Sequence, residues 1–469
     1  MPVRPSSPFP LQAFSLLCLA ALALVIQFAA CAARDDPGEE ASAAGSHERP
    51  EAESAAGDPE ERNTKGAASA GISSRVAARA VALDASGLAG SYSVSAVMAE
   101  AGWNTERYDE VEARGFVRPE DDPLSTFSID VDTASYANVR RFLREGQRPP
   151  EGAVRIEELV NYFRYPARAE AGGDDPFAVD LELFDAPWSP ENRLVRVAVE
   201  GRPLPEQDVP PRNLVFLLDV SGSMAGPDRL DLVKYGVARL VETLRPIDRV
   251  SIVVYAGASG LVLPPTPGDE EDRIVEALDR LGAGGGTAGA AGIRLAYQTA
   301  REHFDPEGIN RVILATDGDF NLGVASRSEL VELIERERES GVFLTVLGVG
   351  RGNLNDAAME QIADHGNGNY AYLDRRSEAR KVLVEQANET LITIAKDVKI
   401  QVEFNPERVR AYRLIGYENR RLADQDFNDD RKDAGEIGAG HQVTALYEIV
   451  PADASPGAIP GGSVDPLKY

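Results

Sequence analysis

The sequence predicts an α/β protein with a doubly wound, mostly parallel central sheet, flanking α+β or β-rich segments and a disordered N-terminal tether. Between about residues 210 and 395, apolar runs alternate with stretches of helical periodicity, as in a parallel sheet covered on both faces. Outside that block, apolar and polar residues alternate as in half-buried strands. A chain of 469 residues is too long for one ordinary core, so we expect two or three domains.

The apolar runs of the central block have strand length, and the stretches between them have apolar residues at helical spacing. We predict its strands at 213–219, 249–256, 260–263, 311–317, 342–348 and 369–373, the third of them at a sheet edge. We predict its helices at 228–244, 269–281, 288–303, 326–340, 355–364 and 377–394.

Strand patterns also occur on both sides of this block, in an N-terminal flanking domain at 104–200 and a C-terminal β-rich domain at 396–469. We expect C-terminal strands to pair with the last two N-terminal ones, which makes one β domain from two segments. The predicted flanking strands are 126–133, 177–184, 193–200, 398–404, 409–417 and 442–449, and the predicted flanking helices are 134–145 and 155–163.

The first thirty residues contain a single charge and a long apolar stretch, which is typical of a secretory signal. Small residues precede Cys31, as in a bacterial lipobox. We therefore expect a lipoprotein-type signal peptide at 1–30, lipidation of Cys31 and a flexible tether at 31–100. The alternative is an uncleaved membrane anchor. Both place the chain in the cell envelope, outside the cytoplasm, and Ala32 is compatible with the periplasmic face of an outer membrane.

The net charge of −27 argues against a nucleic-acid partner, which requires a basic surface. It predicts a soluble surface that repels like molecules. The sequence has two cysteines, one of them inside the signal, so we expect no disulfide in the mature protein.

The first strand of the central block ends in Asp219, and Ser221 and Ser223 follow it at alternating positions. Ligand sites form at the carboxyl ends of parallel strands. Asp317 ends another apolar strand, and Thr287 follows a glycine-rich turn. The oxygens of these five residues can converge on a hard cation such as Mg²⁺ or Mn²⁺. For the first stretch alone, helix capping is the alternative interpretation.

Taken together, the segments 219–223 (Asp-Val-Ser-Gly-Ser), Thr287 and 316–318 (Thr-Asp-Gly) resemble the metal-ion-dependent adhesion site (MIDAS) of von Willebrand factor type A domains. The resemblance covers roughly residues 210–395. It implies that Asp219, Ser221, Ser223, Thr287 and Asp317 hold Mg²⁺ and that an acidic residue of a partner protein completes the coordination. We expect a binding protein rather than an enzyme, because the sequence shows no general base or phosphate-binding loop near these residues.

The flanks resemble a bacterial lipoprotein subgroup of this family, through the segments 127–136 and 426–436. In that subgroup the C-terminal domain usually extends beyond the position of Tyr469, so we expect the last domain here to be incomplete. The resulting hypothesis is a lipid-anchored extracytoplasmic module that captures a Glu or Asp side chain of a partner protein.

Two other functions stay open at this point: a metal-dependent hydrolase, in which the ion activates water, and a metal-free envelope scaffold. Other patterns favour structural roles. The segment 284–289 fits G-x-G-x-x-G but follows a helix rather than a strand. Asp132 and Thr133 precede a predicted helix and are expected to cap it. The acidic segment 424–436 departs from a Ca²⁺ loop, because it has Asp429 where such loops have glycine.

Overall fold

A computed structural model of the chain describes residues 106–109, 113–129, 132–166, 175–286, 289–318, 327–429, 432 and 434–455, with the backbone of Ile26–Gln27 and of Arg327. The described residues from 106 onward belong to one compact unit. Cys31, the predicted tether and, apart from that two-residue backbone, the predicted signal peptide lie outside the described residues. No helix among the described residues is long and apolar enough to cross a membrane.

The strands in chain order are β1 (Ile26–Gln27), β2 (Leu124–Ser128), β3 (Phe177–Asp185), β4 (Arg193–Gly201), β5 (Arg212–Asp219), β6 (Arg249–Tyr255), β7 (Ser259–Pro267), β8 (Ile309–Thr316), β9 (Phe343–Val349), β10 (Tyr370–Leu373), β11 (Thr393–Glu403), β12 (Val409–Ile415), β13 (Gly435–Gly438) and β14 (Gln442–Pro451). The α-helices are α1 (Ala134–Arg144), α2 (Ile156–Asn161), α3 (Leu230–Val241), α4 (Glu271–Asp279), α5 (Gly289–Glu302), α6 (Arg327–Glu339), α7 (Asp356–His365), α8 (Arg376–Arg380) and α9 (Ala387–Leu391).

The central sheet has six strands in the order β10-β9-β8-β5-β6-β7. All its neighbours are parallel except the edge pair β6 and β7, which is antiparallel. This confirms the predicted doubly wound, mostly parallel sheet. Because the strand order reverses around β5 and β8, the carboxyl ends of these two neighbours form a crevice of the kind in which α/β sheets bind ligands.

Two apolar cores cover the two faces of this sheet. Side chains of α3, α4, α8 and α9 pack with strand residues such as Phe216 and Ile252 on one face. Side chains of α5, α6 and α7 pack with Val215 and Leu217 on the other. Ala134 and Ala137 of α1 belong to this second core, so a helix of the N-terminal flank is packed directly on the central block.

The flanking strands form two further sheets that share a third apolar core. One has the order β12-β14-β4-β3, with antiparallel neighbours throughout. It confirms that one β domain forms from two segments and that a C-terminal strand, β14, pairs with the strand predicted at 193–200. The strand predicted at 177–184 pairs instead with its N-terminal neighbour β4, so its expected pairing with a C-terminal strand is wrong. In the other sheet, β2, β13 and the two-residue β1 all pair with β11. The strand predicted at 398–404 therefore pairs with a different N-terminal strand from the one expected.

The helix predicted at 377–394 is wrong at its C-terminal end. The segment consists of α8, a π-helical turn at Lys381–Glu385 and α9, which ends at Leu391. Thr393 instead begins β11, where it pairs with Gly438. Its β-branched side chain fits a strand, and pairing with a strand far along the chain overrides the local helical spacing.

The capping role predicted for Asp132 and Thr133 is also wrong. Thr133 precedes α1 but makes no side-chain capping bond. Asp132 accepts the backbone N–H of Tyr370 at 2.7 Å and pairs with Arg420 at 3.3 Å. A buried carboxylate is stabilised more by distant charged and backbone donors than by the start of its own helix.

Candidate metal centre

Two carboxylates lie at the carboxyl edge of the central sheet. All eight residues of β5 are buried, and the last of them is Asp219. The neighbouring strand β8 ends at Thr316, so that Asp317 directly follows it. Both aspartates have no exposed surface. The structure therefore places these two predicted site residues at the crevice between adjacent strands.

Neutral donors hold the Asp219 carboxylate. Its Oδ1 accepts the Ser221 N–H at 2.9 Å, and its Oδ2 accepts the hydroxyls of Tyr255 and Thr316, each at 3.1 Å. Burial raises the pKa of Asp219, and the nearby Asp317 raises it further, against the opposing effect of these hydrogen bonds. Two adjacent buried carboxylates with neutral donors form a site that a cation would stabilise.

The two serines follow on a tight turn. A 3₁₀ turn at Gly222–Met224 presents them, and the Oγ atoms of Ser221 and Ser223 are 3.0 Å apart. Helix α3 begins only at Leu230, so the alternative interpretation of Asp219 and the serines as caps of that helix is wrong. The hydroxyls instead lie beside the carboxylates at the sheet edge.

The glycine-rich turn lies against the serine turn. The Gly222 N–H donates to the Gly285 carbonyl at 3.1 Å, and the Gly284 N–H donates to the Val220 carbonyl at 2.8 Å. Gly285 has a φ of +88°, a conformation that favours glycine. Thr287, the remaining predicted ligand, lies outside the described residues, two positions after Gly285.

Asp317 contacts a residue that the sequence did not point to. Asn353, in the loop after β9, donates from Nδ2 to Asp317 Oδ2 at 3.0 Å. Gly318 lies under the same loop with a φ of +92°, and a Cβ there would be 2.6 Å from the Asn355 nitrogen. The only available signal was topological, because β9 is parallel to β8 and its following loop emerges at the same sheet edge.

The donor set fits a hard divalent cation. Neighbouring oxygens in an octahedral Mg²⁺ shell are about 3.0 Å apart, given Mg–O distances of about 2.1 Å. The 3.0 Å between the two serine oxygens matches this spacing. Within the described ranges, no group of three or more His, Cys, Asp or Glu side chains is placed to hold a metal. The hydroxyl-rich set at Asp219 and Asp317 therefore fits Mg²⁺ or Mn²⁺ better than zinc.

The other predicted motifs have structural contacts. Asp424 accepts the Thr126 hydroxyl at 2.7 Å, and Lys432 lies 3.8 Å from Asp426. The acidic segment is thus tied to β2 and to its own lysine.

Comparisons with known proteins give family matches over the central block and both flanks. Residues 214–319 match the von Willebrand factor type A domain model, and residues 102–196 match a model described as von Willebrand factor. Residues 389–469 match the C-terminal model of the uncharacterized protein YfbK. A chain from Escherichia coli K12, "Uncharacterized protein YfbK", is 46% identical over 371 residues, which are 78% of this chain and 64% of the relative.

This chain is a von Willebrand factor type A (VWA) domain protein with a C-terminal YfbK domain. Human inter-alpha-trypsin inhibitor heavy chain H3 is 27% identical to this chain over an alignment that covers 51% of this chain and 29% of heavy chain H3. Among solved structures, BatB from Bacteroides thetaiotaomicron is 25% identical, with a TM-score of 0.32, over 38% of this chain and 97% of that one. The VWA protein spans less than two thirds of the length of the curated relatives named here.

Proposed function

We propose that this VWA protein binds a partner protein through a divalent metal, Mg²⁺ or Mn²⁺. Asp219, Ser221, Ser223, Thr287 and Asp317 would hold the ion, and a Glu or Asp of the partner would complete its coordination. The proposal rests on the two buried carboxylates beside two hydroxyls at one sheet edge. When bound, the ion supplies positive charge that attracts an external carboxylate.

The charge balance of the site supports capture of an acidic group. Two of the five proposed ligands are anionic, so they do not exceed the charge of a divalent ion. The rim on the glycine-rich side is open, since Gly222 and residues 282–286 are exposed. A partner carboxylate can therefore approach from solvent. Binding of this kind needs no chemical turnover, and we propose that the protein is not an enzyme.

Calorimetry on the full chain tests the metal site. Wild type should bind Mg²⁺ and Mn²⁺, whereas Ser221→Ala and Asp317→Ala should lose most of the affinity, because each removes a proposed ligand. Ser377→Ala replaces an exposed serine at α8 and serves as the matched control. Equal metal binding by wild type and both site variants would contradict the site assignment.

Partner capture needs its own experiment. The immobilised full chain should retain a membrane-extract protein in Mg²⁺ and release it in EDTA, and Ser221→Ala should not retain it. Replacing candidate partner carboxylates by their amides should then abolish retention. Retention that persists in EDTA, or on Ser221→Ala, would favour a metal-free scaffold.

We also propose that the protein is anchored in the cell envelope by lipidation of Cys31, with the chain on the periplasmic face of the outer membrane if the bacterium has one. The support is the signal-like N-terminus and the lipobox-like residues before Cys31. Metabolic labelling with an alkyne fatty acid should mark wild type but not Cys31→Ser. Equal labelling of the two would refute the anchor.

A further inference from the structure

The loop between β9 and α7, residues 350–355, touches the candidate metal centre directly. Asn353 donates to Asp317 at 3.0 Å. Gly318, next to Asp317, lies so close beneath the loop that a Cβ would be 2.9 Å from the Leu354 Cα. The orientation of the Asp317 carboxylate therefore depends on where this loop lies.

The Asn353 side-chain amide has a single polar partner among the described residues, the Asp317 carboxylate. Its other end, Oδ1, is buried and has no hydrogen-bond partner within the part of the chain that the structure describes. Among the described residues, Asp317 is thus the polar partner of this side chain. An amide that donates to a ligand carboxylate orients it, as partners of metal ligands generally do.

Groups both inside and outside the VWA core hold this loop, and within the core the Gly350 N–H donates to the Asp228 carbonyl at 3.1 Å. Gly350 and Gly352 have φ values of +73° and +91°, so this backbone cannot continue the regular strand geometry of β9. The N-terminal flank adds two backbone hydrogen bonds nearer to Asn353. The Arg107 N–H donates to the Leu354 carbonyl at 2.9 Å, and the Arg107 carbonyl accepts the Asp356 N–H at 3.2 Å.

Glu106 adds a side-chain contact on the other side of Asn353. Its Oε1 accepts the Gly352 N–H at 2.8 Å. Its Oε2 accepts from Arg141 Nη2 at 2.9 Å and from the Tyr108 hydroxyl at 3.1 Å. The Glu106 side chain is only 3% exposed. Contacts at Gly352, Leu354 and Asp356 thus hold the loop on both sides of Asn353.

We propose that Asn353 is a positioning residue of the metal centre and that Glu106 and Arg107, more than 100 residues before the VWA core, set the metal affinity by holding its loop. This inference rests on the proposed metal-binding function. The N-terminal flank then contributes to metal affinity rather than only connecting segments of the chain.

Metal titration of the full chain tests the inference. Asn353→Ala should weaken Mn²⁺ binding about tenfold, the lower end of the effect of losing a partner of a metal ligand. Glu106→Ala should weaken it by a smaller factor, roughly threefold, because Arg107 still contacts the loop. Glu106→Gln keeps an acceptor for the Gly352 N–H but places an NH2 group against the Arg141 guanidinium, so it should restore only part of the lost affinity. Glu120→Ala, an exposed flank glutamate, is the matched control.

A second measurement does not involve the metal. Hydrogen exchange of residues 350–356 in the metal-free protein should be faster in Glu106→Ala than in wild type, and Glu106→Gln should slow it again. Circular dichroism establishes that each variant is folded. Unchanged loop exchange in folded Glu106→Ala would overturn the inference whatever the metal data show.

The two proposals fail in different ways. If wild type binds Mn²⁺, Ser221→Ala does not, and Asn353→Ala and Glu106→Ala bind within twofold of wild type, only the positioning inference is refuted. If wild type binds no metal, the proposed function is refuted and the effect on affinity falls with it.

Discussion

Arg420 joins the C-terminal part of the chain to the two other parts, and its removal should be strongly destabilising. Its guanidinium lies 3.3 Å from Asp132 of the N-terminal flank, and 3.1 Å and 2.6 Å from Glu360 and Asp364 of α7. The Arg420 side chain is 10% exposed. We expect Arg420→Ala to lower the free energy of unfolding by about 3 kcal/mol.

This magnitude follows from the partners and the solvent exposure that each of the three carboxylates retains when Arg420 is removed. Breaking a buried ion pair by removing one partner costs about 3–5 kcal/mol, because the other charge stays buried. Glu360 retains Arg155 at 3.5 Å and the Asn419 amide at 2.7 Å, and Asp364 is 32% exposed. Fully buried Asp132 therefore bears most of the penalty, which places the loss at the lower end of the range.

Urea denaturation followed by circular dichroism measures this loss. Arg144→Ala, at an exposed end of α1, is the matched control and should change stability by less than about 0.5 kcal/mol. Adding Asp132→Asn to Arg420→Ala should recover part of the loss, since the buried charge is then gone. A loss below about 1 kcal/mol in Arg420→Ala would refute the reasoning.

Three further predictions concern pH, backbone geometry and metal. Burial, and secondarily the charge of Arg164, lower the pKa of His441 to about 4. As the pH falls, the unfolded chain therefore takes up a proton at His441 before the folded chain does. The free energy of unfolding should fall by at most about 3 kcal/mol between pH 6.5 and pH 4, and the pH profile of His441→Gln should be flatter. Gly318→Ala should destabilise by about 1–3 kcal/mol more than Gly352→Ala in urea titrations, because both glycines have φ near +90° but a Cβ at Gly352 meets open space. Saturating Mg²⁺, at 100 times its dissociation constant, should add about 2.7 kcal/mol to wild-type stability, and EDTA should remove it; an equal gain in Asp317→Ala would contradict a site there.

The central sheet could be predicted from the sequence because its signals are local. The buried run that ends in Asp219 is a strand whatever its neighbours are, and a polar residue at its end marks the carboxyl edge. Asp317 could be placed by the same logic. The spacing of Ser221 and Ser223 then gave two more donors without knowledge of the packing.

Contacts between distant segments could not be predicted in this way. Asp132 and Thr133 are residue types that commonly cap helices. Asp132 instead accepts a hydrogen bond from Tyr370 and pairs with Arg420, which both lie more than 200 residues away in the sequence. Asn353 lies in a loop with no motif, and its contact with Asp317 arises because the loops after the parallel strands β8 and β9 emerge at the same sheet edge. Local propensity carries no information about such tertiary contacts. The capping role of Asp132 and Thr133 was therefore predicted wrongly, and Asn353 was not predicted at all.

Polar contacts from both the N-terminal and the C-terminal flank meet at the beginning of α7, immediately after the loop that contains Asn353. Asp356, the first residue of that helix, accepts from Arg155 Nη1 at 2.6 Å and from the Asn138 amide at 3.2 Å, and its N–H donates to Arg107. One turn later, Glu360 pairs with Arg420. An acidic residue in the first turn also suits the positive end of the helix dipole. Asp219 and Asp317 lie on the central sheet itself, whereas the Asn353 loop also contacts the N-terminal flank through Glu106 and Arg107. If metal affinity follows loop position as proposed, breaking these flank contacts in the full chain should leave the ligands in place and weaken metal binding, which Mn²⁺ titration measures.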